Sequence, residues 1–360
     1  MLPLKSQTLL ISTYICAYQR QRYYINGRID RVRIRWGILG AANIAYDQLV
    51  PALRRSNRAI VSAVASKSKR KVERFQVPTI YESYEELLQS PTIDAVYIPL
   101  PNALHAEWAI KAMNCGKHVL LEKPAALTES EMIEMKTAAE KNGVVFMEAF
   151  MYQFHRQHKR MKELLESGII GEYRHVKAHF SWMLRDREDI RLKPELGGGA
   201  MRDVGCYGLH VVTQIVGLKP IKISMFGKIH PEFGVDTTST CTLIDEKNHT
   251  AEISASMELP FINRYEIIGS NGSIIVDSAF RPDVSNDGFG KITVRDENSH
   301  VIFFERIKDD QYLNQVEHFH DCILENKEPI YNASHSLEMA LYLEKGYQSL
   351  ENHSIVMDVK

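Results

Sequence analysis

The chain has 360 residues, more than one hydrophobic core usually serves, so its length predicts two domains. Its 44 lysine and arginine residues nearly balance 45 aspartate and glutamate residues, and the net charge of -1 excludes the electrostatic footprint of a protein that binds nucleic acid or an anionic membrane. The five cysteines are scattered without a C-x-x-C pair. This pattern predicts no disulfide framework and no metal site, and it favours a reducing compartment, the cytoplasm.

Residues 1–32 differ in character from the rest of the chain. A short apolar patch at 8–12 precedes an Arg- and Tyr-rich stretch without periodicity. Neither the apolar region nor the cleavage site of a secretory signal is clear, and no apolar run approaches the roughly 18 residues of a membrane span. We expect 1–32 to be a disordered or non-native extension, followed by a dinucleotide-binding domain at 33–151 and a substrate-binding and oligomerisation domain at 152–360.

Strand and helix patterns alternate over the first half of the chain. The predicted strands are 34–39, 59–65, 80–81, 93–98, 118–121 and 144–146, and the predicted helices are 44–53, 69–75, 83–88, 105–114 and 128–143. Ser83 with Glu86, and Thr128 with Glu131, have the spacing of N-terminal helix caps. Alternation with short connections predicts an α/β fold with a doubly wound parallel sheet of the Rossmann type.

The regular alternation of strands and helices does not continue in the second half of the chain. A helix at 155–167 is followed by predicted strands at 173–182, 221–230, 237–245, 250–258, 264–269, 273–276, 291–294 and 301–304, and then by helices at 314–325 and 334–350. Most connections between these strands are too short for crossover helices. We therefore expect a C-terminal α/β domain with a large, mostly antiparallel sheet.

The first strand ends in the turn Gly40-Ala41-Ala42-Asn43-Ile44-Ala45, with the register G-x-A-x-x-A. Gly40 would make the tight turn, Ala42 would lie where the backbone approaches phosphates, and Ala45 would pack the helix on the strand. This register is looser than G-x-G-x-x-G, and small residues also serve ordinary strand-to-helix turns. The interpretation we favour is that Gly40, Ala42, Asn43 and Ile44 bind the pyrophosphate of a dinucleotide.

The end of the second strand indicates which dinucleotide. A site for NAD places an acidic residue there, whereas this chain has Ala65-Ser66-Lys67-Ser68 followed by three more cations. Ser66 and Lys67 are suited to a 2′-phosphate, which predicts NADP, with NAD as the alternative. The competing interpretation is a solvated basic start of a helix.

Two further turns follow strands at the same edge. Pro101 and Asn102 lie after the strand at 93–98, and Glu122-Lys123-Pro124 follows the strand at 118–121. At this edge open α/β sheets bind ligands, so the ammonium group of Lys123 would point into the crevice beside a nicotinamide. The alternatives are an ordinary turn and a surface lysine.

The stretch from Gly197 to His210 combines three glycines with a helical pattern. Asp203 and Tyr207 stand at i and i+4 on one face, and His210 at i+7 would share it. Tyr207 would take the proton of a substrate hydroxyl if a nearby cation stabilised its phenolate, and Lys123 is the expected cation. The alternative is a buried tyrosine packed behind a glycine loop.

Other aromatic and histidine residues carry weaker signals. His155 and His158 have no acidic partner at ligand spacing, and we expect them at the surface or an interface of a helix. His179 and Trp182 lie near the end of a strand that would line a pocket, where Trp182 would stack on a sugar. His318 and His320 are expected on an amphipathic helix.

Taken together, five stretches in this order resemble the Gfo/Idh/MocA oxidoreductase family. They are the turn at 37–45, Pro101-Asn102 with His105, Glu122-Lys123-Pro124, the E-A-F-M-Y segment ending at Tyr152, and Gly197 to Tyr207. The E-A-F-M-Y segment and the D-x-G-x-Y motif look most like the branch that holds dimeric dihydrodiol dehydrogenase, NADP-dependent D-xylose dehydrogenase and glucose-fructose oxidoreductase.

The resemblance implies roles for individual residues. Lys123 and Tyr207 would form the catalytic pair, with Asp203 orienting the substrate or Lys123. Cofactor contacts would include Pro101, Asn102, His105, Glu122 and Lys123, and substrate contacts would include Tyr152, Trp182, Arg202 and Asp203. The open sheet of the second domain would form the interface of a homodimer or homotetramer.

Two departures from the family pattern concern binding. Gln153 and Arg156 stand where that branch more often has Arg and Pro, which affects expected substrate contacts. Lys67 replaces the more usual Arg at the 2′-phosphate site, and it lacks the planar fork of Arg, so we expect weaker selectivity for NADP.

The sequence therefore predicts an NADP(H)-dependent oxidoreductase that acts on the CH-OH group of a sugar, polyol or related cyclic alcohol. One alternative is a redox-neutral sugar oxidoreductase that holds its cofactor tightly. The other is a non-catalytic nucleotide-sensing regulator of the same fold, disfavoured because Lys123, Asp203 and Tyr207 are all present.

Overall fold

The structure is a computed structural model that describes residues 24–25, 28–29 and 33–359. The short strands β1 (Tyr24–Ile25) and β2 (Arg28–Ile29) pair antiparallel. Otherwise, the prediction of a disordered or non-native extension at 1–32 falls outside the described residues. Within the described ranges, no helix has both the length and the apolar character needed to cross a bilayer.

Six strands in the described part of the first half form a parallel sheet in the order β5-β4-β3-β6-β7-β8. They are β3 (Ile34–Leu39), β4 (Ala59–Ala65), β5 (Thr79–Tyr81), β6 (Ala95–Ile98), β7 (His118–Leu121) and β8 (Phe146–Glu148). The helices are α1 (Val50–Arg55), α2 (Lys69–Glu73), α3 (Tyr84–Gln89), α4 (His105–Asn114) and α5 (Glu129–Asn142), and a π-helical turn, Ala45–Leu49, precedes α1. The predicted doubly wound sheet is confirmed, and its strand order reverses between β3 and β6.

The predicted helix caps form in this domain. The Ser83 side chain accepts a hydrogen bond from the Glu86 amide at the start of α3, and Thr128 accepts one from the Glu131 amide at the start of α5. Such caps satisfy amide groups that have no partner within the helix.

Nine strands of the described second half form one sheet in the order β16-β15-β14-β13-β9-β12-β11-β10-β17. They are β9 (Tyr173–Met183), β10 (Pro220–Ile229), β11 (Asp236–Asp245), β12 (Thr250–Ser256), β13 (Glu258–Gly269), β14 (Gly272–Asp277), β15 (Gly290–Asp296), β16 (Val301–Ile307) and β17 (Met357–Asp358). All neighbours pair antiparallel except β9 and β12, which are parallel. The prediction of a mostly antiparallel sheet is confirmed.

Four helices accompany this sheet in the described residues: α6 (Arg156–Glu166), α7 (Cys206–His210), α8 (Gln311–Glu325) and α9 (Ala333–Glu351). Helix α7 lies between two π-helical turns, Met201–Gly205 and Val211–Val216. Short 3-10 turns occur at Asn102–Leu104, Met151–Phe154, Ile190–Leu192, Pro194–Leu196 and Pro282–Val284.

Helix α8 joins the two domains. Its His320 is buried and accepts a hydrogen bond from the Trp36 indole of β3 at 3.0 Å. Arg58 of the first domain forms ion pairs with Glu317 and Asp321 of the same helix. The expected position of His318 and His320 on a helix is confirmed, and the packing shows that this helix holds the domains against one another.

The expectation that His155 and His158 lie at a surface or interface is wrong within this chain, because each is only 1% exposed. His158 hydrogen-bonds the Tyr265 hydroxyl at 2.9 Å and the Ala279 carbonyl at 3.0 Å, and His155 caps α6 by accepting from the Gln157 amide. Buried imidazoles are stable when hydrogen bonds satisfy their nitrogens, and spacing in the sequence does not reveal such partners.

Candidate active site

A cleft of about 920 Å³ lies between the two domains, at the carboxyl ends of the parallel strands. This is the edge at which ligands bind to open α/β sheets. Twelve of the residues selected from the sequence line it: Gly40, Ala42, Asn43, Ile44, Ser66, Pro101, Asn102, Glu122, Lys123, Trp182, Asp203 and Tyr207.

The turn after β3 has the geometry of a phosphate cradle. Gly40 adopts a φ of +97°, and its amide donates to the Ala65 carbonyl at 2.8 Å. This backbone angle favours glycine, and a Cβ at this position would also lie 2.9 Å from the end of the Leu100 side chain, which would have to shift. The bare backbone of residues 40–44 faces the cleft and fits the pyrophosphate of a dinucleotide.

Arg74 supports this turn from beyond α2. Its guanidinium donates to the Asn43 side chain at 2.9 Å and to the Ala41 carbonyl at 3.2 Å, and it lies 4.5 Å from the centre of the Tyr46 ring. The sequence alone did not indicate this role, because Arg74 is one of several cations in a basic stretch.

The end of β4 presents hydroxyl groups and one cation to the cleft. Ser66, Ser68 and Lys71 line the wall, and the Ser66 hydroxyl accepts from the Ser68 amide at 3.2 Å. Lys67 is exposed and does not line the cleft. Lys71 is therefore the lysine that lines the cleft with Ser66, and a contact of Lys67 with the cofactor stays a prediction.

Lys123 and Asp203 meet across the domain boundary. The Lys123 ammonium donates to the Asp203 carbonyl at 2.6 Å and lies 3.5 Å from the Asp203 carboxylate. The same carboxylate lies 3.0 Å from Arg191 and accepts from the Trp182 indole at 3.2 Å. Although burial opposes ionisation, Arg191 and Lys123 together lower the pKa of Asp203 to about 2.

These contacts keep Lys123 charged. Burial lowers the pKa of Lys123, but Asp203, Cys206 and Glu122 outweigh burial and the net shift is upward. Glu122 lies partly buried beside it and accepts a hydrogen bond from the Tyr97 hydroxyl, and desolvation raises the pKa of Glu122.

Tyr207 stands next to this ion pair. The Lys123 ammonium lies 4.8 Å from the centre of the Tyr207 ring, and the Tyr207 hydroxyl contacts the Met151 sulfur at 3.7 Å. Phe150 and Phe180 pack against the ring edge-on. Lys123 therefore faces the aromatic ring instead of the hydroxyl.

This geometry corrects the expected state of Tyr207. Burial raises the pKa of Tyr207 well above its ordinary value, and Arg281 is the cation that acts against this shift. The sequence-based expectation was that Lys123 lowers this pKa. The structure instead holds Tyr207 as a protonated phenol, because desolvation of the phenolate outweighs nearby positive charge.

Four predicted site residues do not line the cleft: Lys67, His105, Tyr152 and Arg202. His105 is buried and bridges the carbonyls of Leu100 and Pro124, both at 2.8 Å, so it fixes the two turns that carry Asn102 and Lys123.

Tyr152 and Arg202 lie behind the cleft wall. The Tyr152 hydroxyl bonds His210 at 2.6 Å, both residues are buried, and His210 does not line the cleft. Arg202 stacks on Tyr347 at 4.0 Å and donates to the Gly198 carbonyl at 3.2 Å. In this arrangement Tyr152 and Arg202 support the site without facing the cleft.

Several cleft residues carried no signal in the sequence. Arg191, Arg281 and Tyr312 line the cleft but stand on separate segments of the second domain. Arg281 forms an ion pair with Asp283 at 2.9 Å, and Arg191 forms one with Asp189 at 3.2 Å. No motif or periodicity links these positions, and they meet only when the second domain folds.

Comparisons with known proteins agree with this architecture. The family model described as "Oxidoreductase family, NAD-binding Rossmann fold" of Gfo/Idh/MocA matches residues 34–150, and the "GFO/IDH/MocA C-terminal domain" model matches residues 158–275. The chain is 32% identical over 311 residues to dTDP-3,4-didehydro-2,6-dideoxy-alpha-D-glucose 3-reductase of Actinomadura kijaniata, covering 85% of this chain and 92% of that protein.

A second relative and a solved structure have similar coverage. The chain is 32% identical over 325 residues to D-xylose 1-dehydrogenase (NADP(+)) 2 of Haloferax volcanii, covering 89% of this chain and 98% of that protein. The structure of KijD10, a 3-ketoreductase from Actinomadura kijaniata in complex with NADP and TDP-benzene, matches with a TM-score of 0.82 and 29% identity, covering 88% of this chain and 98% of that chain. The resemblance inferred from the motifs is confirmed: the chain belongs to the Gfo/Idh/MocA oxidoreductase family.

Proposed function

We propose that this protein is an NADP(H)-dependent oxidoreductase that interconverts a hydroxyl and a carbonyl group on a sugar, polyol or related cyclic alcohol. The observation that carries the proposal is the convergence of Lys123, Asp203 and Tyr207 at one end of a cleft whose other wall is the Gly40 turn. The family assignment supports it, as do relatives whose names describe an NADP(+)-dependent xylose dehydrogenase and a sugar 3-reductase.

The residues of the first domain fit NADP. The backbone of residues 40–44 would hold the pyrophosphate, and Ser66, Ser68 and Lys71 would hold the 2′-phosphate. Asn102 would lie beside the nicotinamide half, and its side chain donates to the Gly197 carbonyl at 2.9 Å, which joins the two walls. When bound, the cofactor supplies or accepts the hydride.

Tyr207 is proposed as the group that moves the proton. As a protonated phenol it donates its proton to the carbonyl oxygen of a substrate during reduction and becomes the phenolate, and in the reverse direction that phenolate, formed by loss of the phenol proton to solvent, takes the hydroxyl proton. The Lys123 ammonium lies 4.8 Å from the centre of the Tyr207 ring, where Asp203 holds it through its carbonyl and carboxylate, and Arg281 is the cation that favours the phenolate.

The first experiment measures cofactor binding. Purified protein is titrated with NADPH and NADH, with nicotinamide fluorescence as the readout, before and after dialysis. Saturable binding that favours NADPH, followed by turnover in a screen of aldoses and polyols that includes D-xylose, is the expected result. Fluorescence that is present at the start and survives dialysis would favour the redox-neutral alternative, and absence of binding to both nucleotides would overturn the proposal.

The second experiment replaces the proton donor. Tyr207→Phe removes the hydroxyl and keeps the ring, so we expect kcat to fall by at least about 100-fold while the Kd for NADPH stays within a factor of about two. The control is Tyr342→Phe, which removes the hydroxyl of another buried tyrosine that does not line the cleft. Retention of kcat in Tyr207→Phe would refute the assigned role.

We also propose that the protein forms a homodimer or homotetramer through the outer face of the nine-stranded sheet. Large apolar side chains on this sheet are about half exposed, among them Phe226 on β10 and Ile302 and Phe304 on β16. Apolar side chains at this density on one face are typical of association surfaces.

A cytoplasmic location is part of the same proposal. Four cysteines in the described residues are free: Cys115, Cys206, Cys241 and Cys322. Free thiols are typical of a reducing compartment. Cell fractionation followed by immunoblotting tests the location, and recovery of the protein outside the cytosolic fraction would contradict it.

A further inference from the structure

Tyr312 lines the cleft and carries a buried hydroxyl that has no partner among the described residues. The residue is 6% exposed. Buried hydroxyl groups in native proteins are nearly always hydrogen-bonded, because desolvation without a partner is unfavourable. A ligand in the cleft is therefore the natural source of the missing partner.

The position of Tyr312 is fixed by the helix that carries it. Tyr312 lies in the first turn of α8, where Asp310 caps the helix by accepting from the Leu313 amide at 3.0 Å. Arg55 of the first domain pairs with Asp310 at 2.6 Å. The turn that carries Tyr312 is thus tied to both domains, and a side chain on a well-anchored turn is suited to selecting a ligand geometry.

Two neighbouring contacts place Tyr312 at the catalytic end of the cleft. Asn314, two residues along α8, donates to the Phe154 carbonyl at 3.1 Å, and Phe154 belongs to the turn whose Met151 contacts the Tyr207 hydroxyl. Burial raises the pKa of Tyr312, and Arg281 and Tyr207 also act on it. Tyr312 and Tyr207 line the same cleft, and these contacts link the helix that carries Tyr312 to the turn that touches Tyr207.

Arg281 lines the same cleft and is linked to the first turn of α8 through Asp283. Gln311, the residue before Tyr312, donates to Asp283 at 2.9 Å, and Asp283 forms the ion pair with Arg281. The second domain thus contributes a neutral hydroxyl and a guanidinium to the same end of the cleft, which matches a ligand with several oxygen atoms on a small ring.

We propose that the Tyr312 hydroxyl hydrogen-bonds a non-reacting hydroxyl group of the bound sugar or polyol and so selects which hydroxyl is presented to Tyr207. This inference rests on the proposed function and names a substrate contact within it. In this proposal Tyr207 contacts the reacting oxygen of the substrate. Tyr312 contacts a different hydroxyl group and so determines the orientation of the substrate and the specificity of the enzyme. A site that binds a hydroxyl group rejects analogues that lack it, because its own buried polar group is then left unpaired.

The test compares Tyr312→Phe with Tyr342→Phe. Tyr342 is 5% exposed and does not line the cleft, so it matches Tyr312 in burial but not in position. With NADP+ and D-xylose, or the most active aldose or polyol of the screen, Tyr312→Phe is expected to lower kcat/KM about 10-fold or more, mainly through KM. The Kd for NADPH and the Tm are expected to change little in both variants.

Singly deoxygenated analogues of that sugar identify the contact. For one analogue, the kcat/KM of the wild type should fall by about the same factor as the kcat/KM for the parent sugar falls on changing Tyr312 to Phe. With that same analogue, the kcat/KM of Tyr312→Phe should be little lower than its value with the parent sugar. Quenching of bound NADPH fluorescence by the parent sugar measures sugar binding without turnover. The affinity measured in this way should be lower in Tyr312→Phe and unchanged in Tyr342→Phe.

The outcomes separate the two hypotheses. An active wild-type enzyme with equal kcat/KM in the two Tyr→Phe variants, or with additive losses for every analogue, would overturn the contact and leave the proposed function standing. A wild type that binds NADPH but neither oxidises nor binds any sugar or polyol of the screen would overturn the proposed function and this contact with it.

Discussion

The carboxylate of Asp203 forms ion pairs with both of its cationic neighbours in the site. It balances Lys123 on one side and Arg191 on the other, and Trp182 donates to it as well. Buried charges are tolerated when they are paired and hydrogen-bonded in this way. Trp182, which the sequence suggested as a platform for a sugar, has the Arg191 guanidinium 5.4 Å from its ring centre, so the indole also takes part in ordering the charges.

Glu148 makes stability depend on pH. It is buried at the end of β8, where it accepts from the Ala125 amide at 2.8 Å, two residues after Lys123. Burial raises the pKa of Glu148 to about 7. A carboxyl whose pKa is higher in the folded than in the unfolded protein contributes stability at low pH, and this contribution is lost as pH rises from the unfolded pKa through about 7.

The corresponding prediction concerns Glu148→Gln. The variant keeps the shape of the side chain but cannot ionise. In the wild type, ionisation of the buried Glu148 lowers the free energy of unfolding by up to about 3 kcal/mol above pH 7. We expect the Tm of the variant at pH 8 to exceed that of the wild type and the difference to shrink towards pH 5. Glu297→Gln on an exposed turn is the control. A Tm difference that does not vary between pH 5 and pH 8 would contradict this account.

At the scale of elements, we propose that helix α2 contributes to the preference for the 2′-phosphate. Both Lys67 and Lys71 are exposed, but Lys71 lines the cleft with Ser66 and Ser68, whereas Lys67 does not line it. A charge that lines the cleft acts on a bound phosphate at shorter range than a charge outside it, and salt screens the more distant charge more strongly.

We therefore expect Lys71→Glu to weaken NADPH binding by at least about 10-fold and to leave NADH binding nearly unchanged. Lys67→Glu is the matched variant, with the same charge change four residues earlier, and its effect should be smaller and should fade at higher salt. Fluorescence titrations at two ionic strengths measure both. A larger effect of Lys67→Glu would restore the assignment made from the sequence.

Helix α8 shows how one element can belong to both domains. In chain order it follows the strands of the second domain, yet Trp36, Arg55 and Arg58 of the first domain hold it. Its first turn carries Tyr312 into the cleft. The catalytic end of the cleft is thus shaped by a helix whose position depends on packing between the domains.

At the scale of the whole molecule, the outer face of the nine-stranded sheet predicts association. Phe304 on β16 is 56% exposed on that sheet, and Ile133 on α5 is a similarly exposed apolar residue, at 48%, in the other domain. Phe304→Glu should weaken the oligomer because a carboxylate in an apolar interface lacks a partner, and Ile133→Glu should not.

Sedimentation velocity over a range of concentrations measures the association. The wild type should have a mass that is a multiple of 41.2 kDa, and Phe304→Glu should shift towards that value at low concentration. A monomeric wild type, or equal behaviour of Phe304→Glu and Ile133→Glu, would contradict an interface at this face.

The sequence by itself determined the local elements and the order of the motifs. Strand and helix periodicity, the caps at Ser83 and Thr128 and the turn at Gly40 depend on neighbours a few residues apart. These features are encoded locally, because apolar spacing and capping chemistry act within one element. For the same reason Lys123 and Tyr207 could be recognised from short motifs.

Only the tertiary structure decided which side chains meet and which are desolvated. Arg281 and Tyr312 reach the cleft from distant segments, and Lys71 replaces Lys67 on its wall. The protonated state of Tyr207 follows from burial, and so does the raised pKa of Glu148. Desolvation and convergence arise from the packing of two domains against each other, which no pattern of spacing along one chain contains.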